Sequence, residues 1–303
     1  MLRGILLYLS EQKRLQNFIL RRRLAQRVAR RFVAGETLDE AIAVTRDLNS
    51  RGMDVTLDHL GESVEREDQA IMATDDYIAI LDRVAEEGVR TGISIKLTQI
   101  GLAIDQGLCR DNLKRIAEAA RRDDNFVRID MEASEYVEST LTLFHELHQE
   151  YGNLGAVIQS YLRRSERDVR KLAASAASVR LCKGAYQEPE KIAFQKKSEV
   201  DENYVHLLRI LINSGSPLAV ATHDSRMIES AKQLMRDTSN RDAPVEFQML
   251  YGVRRDLQAL LVEKGYRMRV YVPYGTEWYP YFMRRMAERP ANLLFVLRAL
   301  GGK

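Results

Sequence analysis

From residue 54 onward the chain alternates short β-branched runs with longer amphipathic stretches, and it does so eight times. That alternation constrains the fold more than any other feature. The runs predict strands over 54–57, 93–97, 126–131, 156–159, 179–182, 219–222, 245–249 and 268–272. Helices are predicted between and after them, over 67–87, 111–122, 137–150, 167–177, 201–213, 225–236, 254–263 and 279–289, with Asp111, Ser165 and Ser225 as N-caps. A strand, a helical crossover and a second strand make a parallel βαβ unit. Eight in succession match an α/β fold of the (β/α)8 TIM-barrel type, with an open doubly wound sheet as the alternative. No low-complexity linker or solenoid period divides the chain. The expected organisation is an N-terminal helical segment over 1–50 packed on a barrel over 51–303, a single domain overall.

Polar residues fall where nearly every predicted strand ends. Strand one ends at Asp58-His59 and strand two carries Lys96. Strand three carries Asp130 and Glu132, strand four Gln159, and strand five is bracketed by Arg180 and Lys183. Strand six ends Thr222-His223-Asp224, strand seven has Gln248, and strand eight leads into Tyr271 and Tyr274. One buried charge can be a structural ion pair. A polar group at strand end after strand end points to an active site at the C-terminal rim, where barrel enzymes carry their chemistry.

Composition narrows the class further. The 303 residues include 46 Lys+Arg and 43 Asp+Glu, a net charge of +3, with 45% hydrophobic residues, which describes a globular chain. Two cysteines, Cys109 and Cys182, exclude a disulfide-stapled scaffold and a four-cysteine zinc site. No apolar run approaches the ~18 residues of a membrane span, and the short one at 4–9 lacks the cleavage site of a signal peptide. Residues 1–35 hold nine Lys/Arg against one acid, with Leu15, Phe18, Ile19, Val28 and Phe32 at helical spacing. Such a basic amphipathic segment suits an outer helix with a solvated face, and also peripheral contact with an anionic membrane. No nucleic-acid-binding motif accompanies it, so no nucleic acid is expected.

Dinucleotide, P-loop, nucleophile-elbow and H-E-x-x-H signatures are all missing. His145 and His148 stand three apart on a predicted outer helix and read as solvated histidines, so no metal is expected. The sharpest local feature is Tyr281-Phe282-Met283-Arg284-Arg285. On a helix Tyr281, Arg284 and Arg285 share one face, with Thr276 as a candidate N-cap and Pro280 in the first turn. Paired guanidiniums beside an aromatic ring suit a carboxylate or phosphate clamp, and equally an exposed basic face. Lys96 is a third cation able to converge on the same anion.

These residues resemble the proline dehydrogenase family. The resemblance runs from Ser94-Ile95-Lys96-Leu97-Thr98-Gln99 through Arg128-Ile129-Asp130-Met131-Glu132, Gln159-Ser160-Tyr161-Leu162-Arg163-Arg164 and Arg180-Leu181-Cys182-Lys183-Gly184-Ala185-Tyr186. It continues through Ala221-Thr222-His223-Asp224, Glu246-Phe247-Gln248-Met249-Leu250 and Val270-Tyr271-Val272-Pro273-Tyr274 to the Tyr281-x-x-Arg284-Arg285 helix and Asn292-Leu293-Leu294-Phe295. It implies a distorted (β/α)8 barrel that binds FAD noncovalently, oxidises L-proline to 1-pyrroline-5-carboxylate and passes electrons to a membrane quinone.

The resemblance also implies roles for individual residues. Lys96, Arg284 and Arg285 would hold the substrate carboxylate, while Tyr271, Tyr281 and Leu250 would wall its ring. Asp130 and Arg180 match the catalytic positions, with Arg180 as a cation near the flavin N5/O4 edge and neither assigned as a general base. Met131, Gln159, Lys183, Gly184, Ala185, Thr222 and His223 would contact FAD. Gly184 alone reads equally as a turn residue, and His223 as a satisfied strand-end histidine. Gln187-Glu188-Pro189 stands where bifunctional members carry an aromatic, which implies the stand-alone bacterial type, cytoplasmic or peripheral on the inner membrane face. Functional coupling to a 1-pyrroline-5-carboxylate dehydrogenase is implied as well. A flavin-free barrel enzyme for a small anion, or a noncatalytic FAD- or amino-acid-binding relative, are the alternatives that the residues alone leave open.

Overall fold

The computed structural model describes residues 30–61, 64–240 and 243–288, with side chains as far as Met283. Its core is a closed barrel of eight parallel strands in sequence order. The strands are β1 (Asp54–His59), β2 (Thr91–Ile95), β3 (Val127–Ile129), β4 (Leu154–Gln159), β5 (Ser178–Cys182), β6 (Leu218–Ala221), β7 (Val245–Leu250) and β8 (Met268–Tyr274). Closure comes from β1, which pairs with β2 on one edge and β8 on the other: Val55 lies beside Thr91 and Val270. The barrel reading therefore holds and the open sheet does not.

Helix α1 (Leu38–Ser50) precedes the barrel and lies against β1 and β8. It opens with a capping box: Thr37 Oγ1 accepts from the Glu40 N–H, and the Glu40 carboxylate accepts from the Thr37 N–H. Residues 1–29, most of the basic segment, lie outside the described residues. The end of that segment is held down, with Phe32 and Val33 buried and Arg30 paired to Glu40 at 3.0 Å.

The crossover helices are α2 (Glu67–Glu87), α3 (Gln106–Arg122), α4 (Ser134–Tyr151), α5 (Ser165–Ala174), α6 (Lys197–Ser214), α7 (Ser225–Asp237) and α8 (Arg255–Glu263); α9 (Trp278–Glu288) comes after β8. All four predicted caps shift. Helix α3 starts five residues before Asp111, because the Asp105 carboxylate accepts from the Leu108 N–H at 2.7 Å. Asp224, not Ser225, caps α7 by accepting from the Arg226 N–H. Ser165 is the first helical residue of α5, its cap position taken by Arg164, and its hydroxyl donates to the Gln159 carbonyl at 2.6 Å. Helix α9 begins at Trp278, so Glu277 rather than Thr276 precedes it, with Pro280 in the first turn.

On several strands the two faces have opposite characters, although β4 and β6 turn Val157 and Ala219 inward beside Arg180. On β5, Val179 and Leu181 are buried beneath the helices, while Arg180 between them reaches across the lumen to β2 and β7. On β7, Phe247 and Met249 join the apolar core while Glu246 and Gln248 face inward to charged or polar partners. Barrel lumens are ordinarily filled with layers of branched apolar side chains. This one is filled largely with hydrogen-bonded polar groups, with Val157 and Ala219 among them, and most of the apolar stabilisation resides between sheet and helices. No described helix is long and apolar enough to cross a membrane.

Candidate active site

The polar lumen opens at the C-terminal ends of the strands into a cavity of about 540 Å³. Its floor is organised around Arg180. The guanidinium Nε donates to Gln248 Oε1 at 2.6 Å, and Nη1 donates to Ser94 Oγ at 2.9 Å and Asp130 Oδ1 at 2.8 Å. Arg180 also lies over the Tyr271 ring, 5.2 Å from its centroid. The Tyr271 hydroxyl donates to Asp130 Oδ2 at 2.7 Å, and Ser94 Oγ donates to Oδ1. Both oxygens of Asp130 are thereby occupied. Nη2 of Arg180 is buried and has no partner among the described residues.

Sequence reasoning placed Arg180 at the rim. It sits instead in the middle of β5, and only its length brings the guanidinium up to the cavity.

Lys96 follows the last residue of β2 and turns into the 3-10 segment Leu97–Ile100. Its Nζ lies 2.8 Å from Asp58 Oδ1, and Asp58 is 1% exposed. Burial opposes the ammonium charge, but Asp58 and Asp130 outweigh it and hold the lysine protonated well above its ordinary range. Burial likewise raises the Tyr271 hydroxyl, which Asp130 raises further, so it is a fixed donor.

On the opposite wall, Gln159 commits both amide N–Hs to the Met131 and Glu132 carbonyls, leaving Oε1 as its remaining polar atom. Glu132 accepts from Thr98 through its N–H and hydroxyl, and burial raises its carboxyl above the usual range. His223 accepts at Nε2 from the Leu250 N–H at 2.9 Å, which fixes its tautomer with the proton on Nδ1. Thr222 Oγ1 accepts from the Asp224 N–H.

Lys183 does not present a bare cation. It bridges Asp201 at 2.6 Å and Asp224 at 2.8 Å, and the lysine holds the Asp224 carboxyl down to about 2 against the opposing effect of burial. Gly184 is required by the backbone: its φ is +106°, and a Cβ there would meet the Tyr161 ring at 2.2 Å. Its turn role and its place in the cavity wall coincide.

All the sequence-predicted residues with described side chains line this one cavity: Lys96, Asp130, Met131, Gln159, Arg180, Lys183, Gly184, Ala185, Thr222, His223, Leu250, Tyr271 and Tyr281. The side chains of Arg284 and Arg285 lie outside the described residues; their backbone belongs to α9, which also carries Tyr281. A second hollow of about 630 Å³ adjoins the first and shares Lys183, Gly184, Tyr186 and Lys197 with it. His145 and His148 stay on α4, where both pack on the Phe144 ring; no group of potential metal ligands occurs among the described residues.

Sequence reasoning did not single out Asp58, Gln248 or Ser94 as site residues. Asp58 and Gln248 were visible as polar residues near strand ends. A buried carboxylate must find a cation, which was the available signal for Asp58. Size alone misleads here: a cavity of about 640 Å³ opens at the other end of the barrel, between Arg128, Glu246, Arg269 and Asp54. Glu246 and Asp54 there are already paired with Arg269, at 2.9 and 3.4 Å.

The sequence profile described as "Proline dehydrogenase" matches residues 41–298. "Proline dehydrogenase 1" of Bacillus subtilis is 42% identical over 99% of both chains. "Proline dehydrogenase" of Deinococcus radiodurans is 39% identical over 90% of both. Among solved structures, proline utilization A (PutA) from Bdellovibrio bacteriovorus, described as inactivated by N-propargylglycine, superimposes with a TM-score of 0.83 at 27% identity. That match covers 90% of this chain and 34% of the longer one.

Proposed function

The chain belongs to the proline dehydrogenase family, and on that footing we propose that it oxidises L-proline to 1-pyrroline-5-carboxylate with noncovalent FAD as first acceptor and a membrane quinone as the next. What carries this reading is the convergence of residues from strand end after strand end, and from α9, on one cavity.

The residues fit a flavin. Arg180 Nη2 is a buried donor short of an acceptor, and the N5/O4 edge of a flavin offers acceptors. Gln159 has only Oε1 left, suited to a ring N–H. Two hollows meeting at Lys183-Gly184 suit a long ligand with two ends. Bound FAD would supply the hydride acceptor at N5.

The chain's own residues would do the rest. Lys96, held protonated, anchors the proline carboxylate rather than taking a proton, and Arg284 and Arg285 complete the clamp. Tyr271, Tyr281 and Leu250 wall the ring and keep water from it. Asp130 and Arg180 fix each other and set the field in which charge moves. The product would pass to a 1-pyrroline-5-carboxylate dehydrogenase. The basic segment at 1–35 would support salt-sensitive peripheral contact with the inner face of the cytoplasmic membrane.

The deciding experiment is spectroscopic. Purified protein should carry a flavin spectrum that bleaches on anaerobic addition of L-proline and returns with a soluble quinone analogue but not with NAD. A colourless protein that turns over proline, or a flavoprotein that proline does not bleach, overturns the proposal.

A further inference from the structure

We propose that Gln248 is a positioning residue for Arg180, and that Glu246 holds it in the only orientation that serves. The proposal rests on the reading that Arg180 faces cofactor and substrate.

The argument is an accounting of donors and acceptors. Three of the five Arg180 N–Hs are spent, on Gln248, Ser94 and Asp130. Because the guanidinium is planar, fixing Nε and Nη1 fixes Nη2 as well. Ser94 and Asp130 both act on Nη1; Gln248 alone holds Nε at 2.6 Å and so sets the roll of the plane about the Nη1 contacts.

An amide can face either way, and only its neighbours decide. On its other side Gln248 Nε2 donates to Glu246 Oε1 at 2.6 Å. An ionised carboxylate only accepts. Burial works against Glu246 ionising, but the Arg269 and Arg128 cations and the bonds from Arg269 and Gln248 prevail and hold it below the usual range. A flipped Gln248 would set its NH2 against a guanidinium and its oxygen against a carboxylate, a double mismatch. Glu246 is fixed in turn by Arg269 at 2.9 Å, and Arg269 Nη1 donates to the Val55 carbonyl at 2.8 Å. The orientation of a cation at the cavity floor is thus set from the opposite end of the barrel. The other charged groups facing Glu246 are Arg267, at 3.8 Å, and Arg128.

Three variants test this: Gln248→Met removes the acceptor at similar length, Glu246→Gln frees the amide to flip, and the double exchange Gln248→Glu with Glu246→Gln keeps an acceptor toward Arg180 with a neutral amide facing it. The first readout needs no flavin. In arginine-15N-labelled protein, the Arg180 Nε–H signal, assigned with Arg180→Lys, should exchange with solvent at least tenfold faster in Gln248→Met and Glu246→Gln. The second is the kcat-against-KM split for proline: kcat per bound flavin should fall about tenfold in Gln248→Met with KM within about twofold. The double exchange should recover part of the loss. Unchanged exchange and unchanged kcat overturn the proposal, as does a loss of thermal stability with kcat per flavin intact. Should Gln248→Met not fold, the other two variants carry the same readouts. Faster exchange in a protein that never oxidises proline would uphold the positioning and defeat the functional reading on which it rests.

Discussion

Tyr271 on β8 and Asp130 after β3 are joined by a 2.7 Å hydrogen bond that crosses the cavity floor, and the same ring lies under Arg180. One side chain therefore restrains both members of the Asp130–Arg180 pair. Tyr271→Phe keeps the ring and removes the donor. It should lower kcat/KM for proline about tenfold, the kinetic equivalent of one hydrogen bond of roughly 1.4 kcal/mol. Steady-state kinetics at matched flavin content checks it; an unchanged kcat/KM would show the bond to be idle.

Asp58→Asn should be costlier. It leaves the Lys96 ammonium nearly buried without its partner, and breaking a buried pair costs about 3–5 kcal/mol. The folded-state pKa of Lys96 is raised, so the pair contributes below the ordinary lysine value and is lost as pH rises through the folded one. The variant should therefore be less stable than the parent at pH 7, and the gap should close only in strongly alkaline solution. Urea titrations at pH 7 and pH 10 should therefore show the same gap, both lying below the ordinary lysine value, and a gap that shrinks by pH 10 would contradict the raised lysine.

The acid side depends on other residues. Asp224 titrates near 2 in the folded chain against an ordinary 3.8, because Lys183 favours its charged form. Its contribution is present above about pH 4 and is lost as pH falls toward 2. Asp224→Asn should flatten the dependence of unfolding free energy on pH across that window. An identical slope in the two proteins would show that Lys183 is satisfied by Asp201 alone.

Gly184→Ala should be poorly tolerated. The backbone is left-handed there and the new methyl meets the Tyr161 ring at 2.2 Å, so the turn must move. The expected outcome is a loss of at least about 1 kcal/mol together with weaker flavin retention, seen by thermal melting and by flavin content after gel filtration. Retention equal to the parent's would separate the turn from cofactor holding.

Much of this was legible in the sequence because a barrel repeats its chemistry at intervals along the chain. Lys96, Asp130, Gln159 and Thr222 each fall where a strand runs out, and periodicity finds strands. Contacts across the lumen obey no interval. Arg180 and Gln248 are 68 residues apart, Lys96 and Asp58 38, and only closure of the barrel brings each pair together. The start of α3 was missed for a local reason: Asp105 competes with Asp111 as a cap, and Cys109 and Leu108 lie between them. Arg284 and Arg285 were legible as part of one helix face with Tyr281, and the described residues stop short of their side chains.

The division of β5 and β7 into an apolar outer face and a polar inner one has a consequence for inheritance. Val179 and Leu181 answer to the packing of an annulus, whereas Arg180 between them answers to the hydrogen-bond network across the lumen. Adjacent codons thus stand under unrelated selection. A descendant could trade its axial residues for another chemistry while its ring-shaped core stays as it is, or keep the axis while the ring drifts among aliphatics of similar volume. Drift on one face leaves no trace on the other.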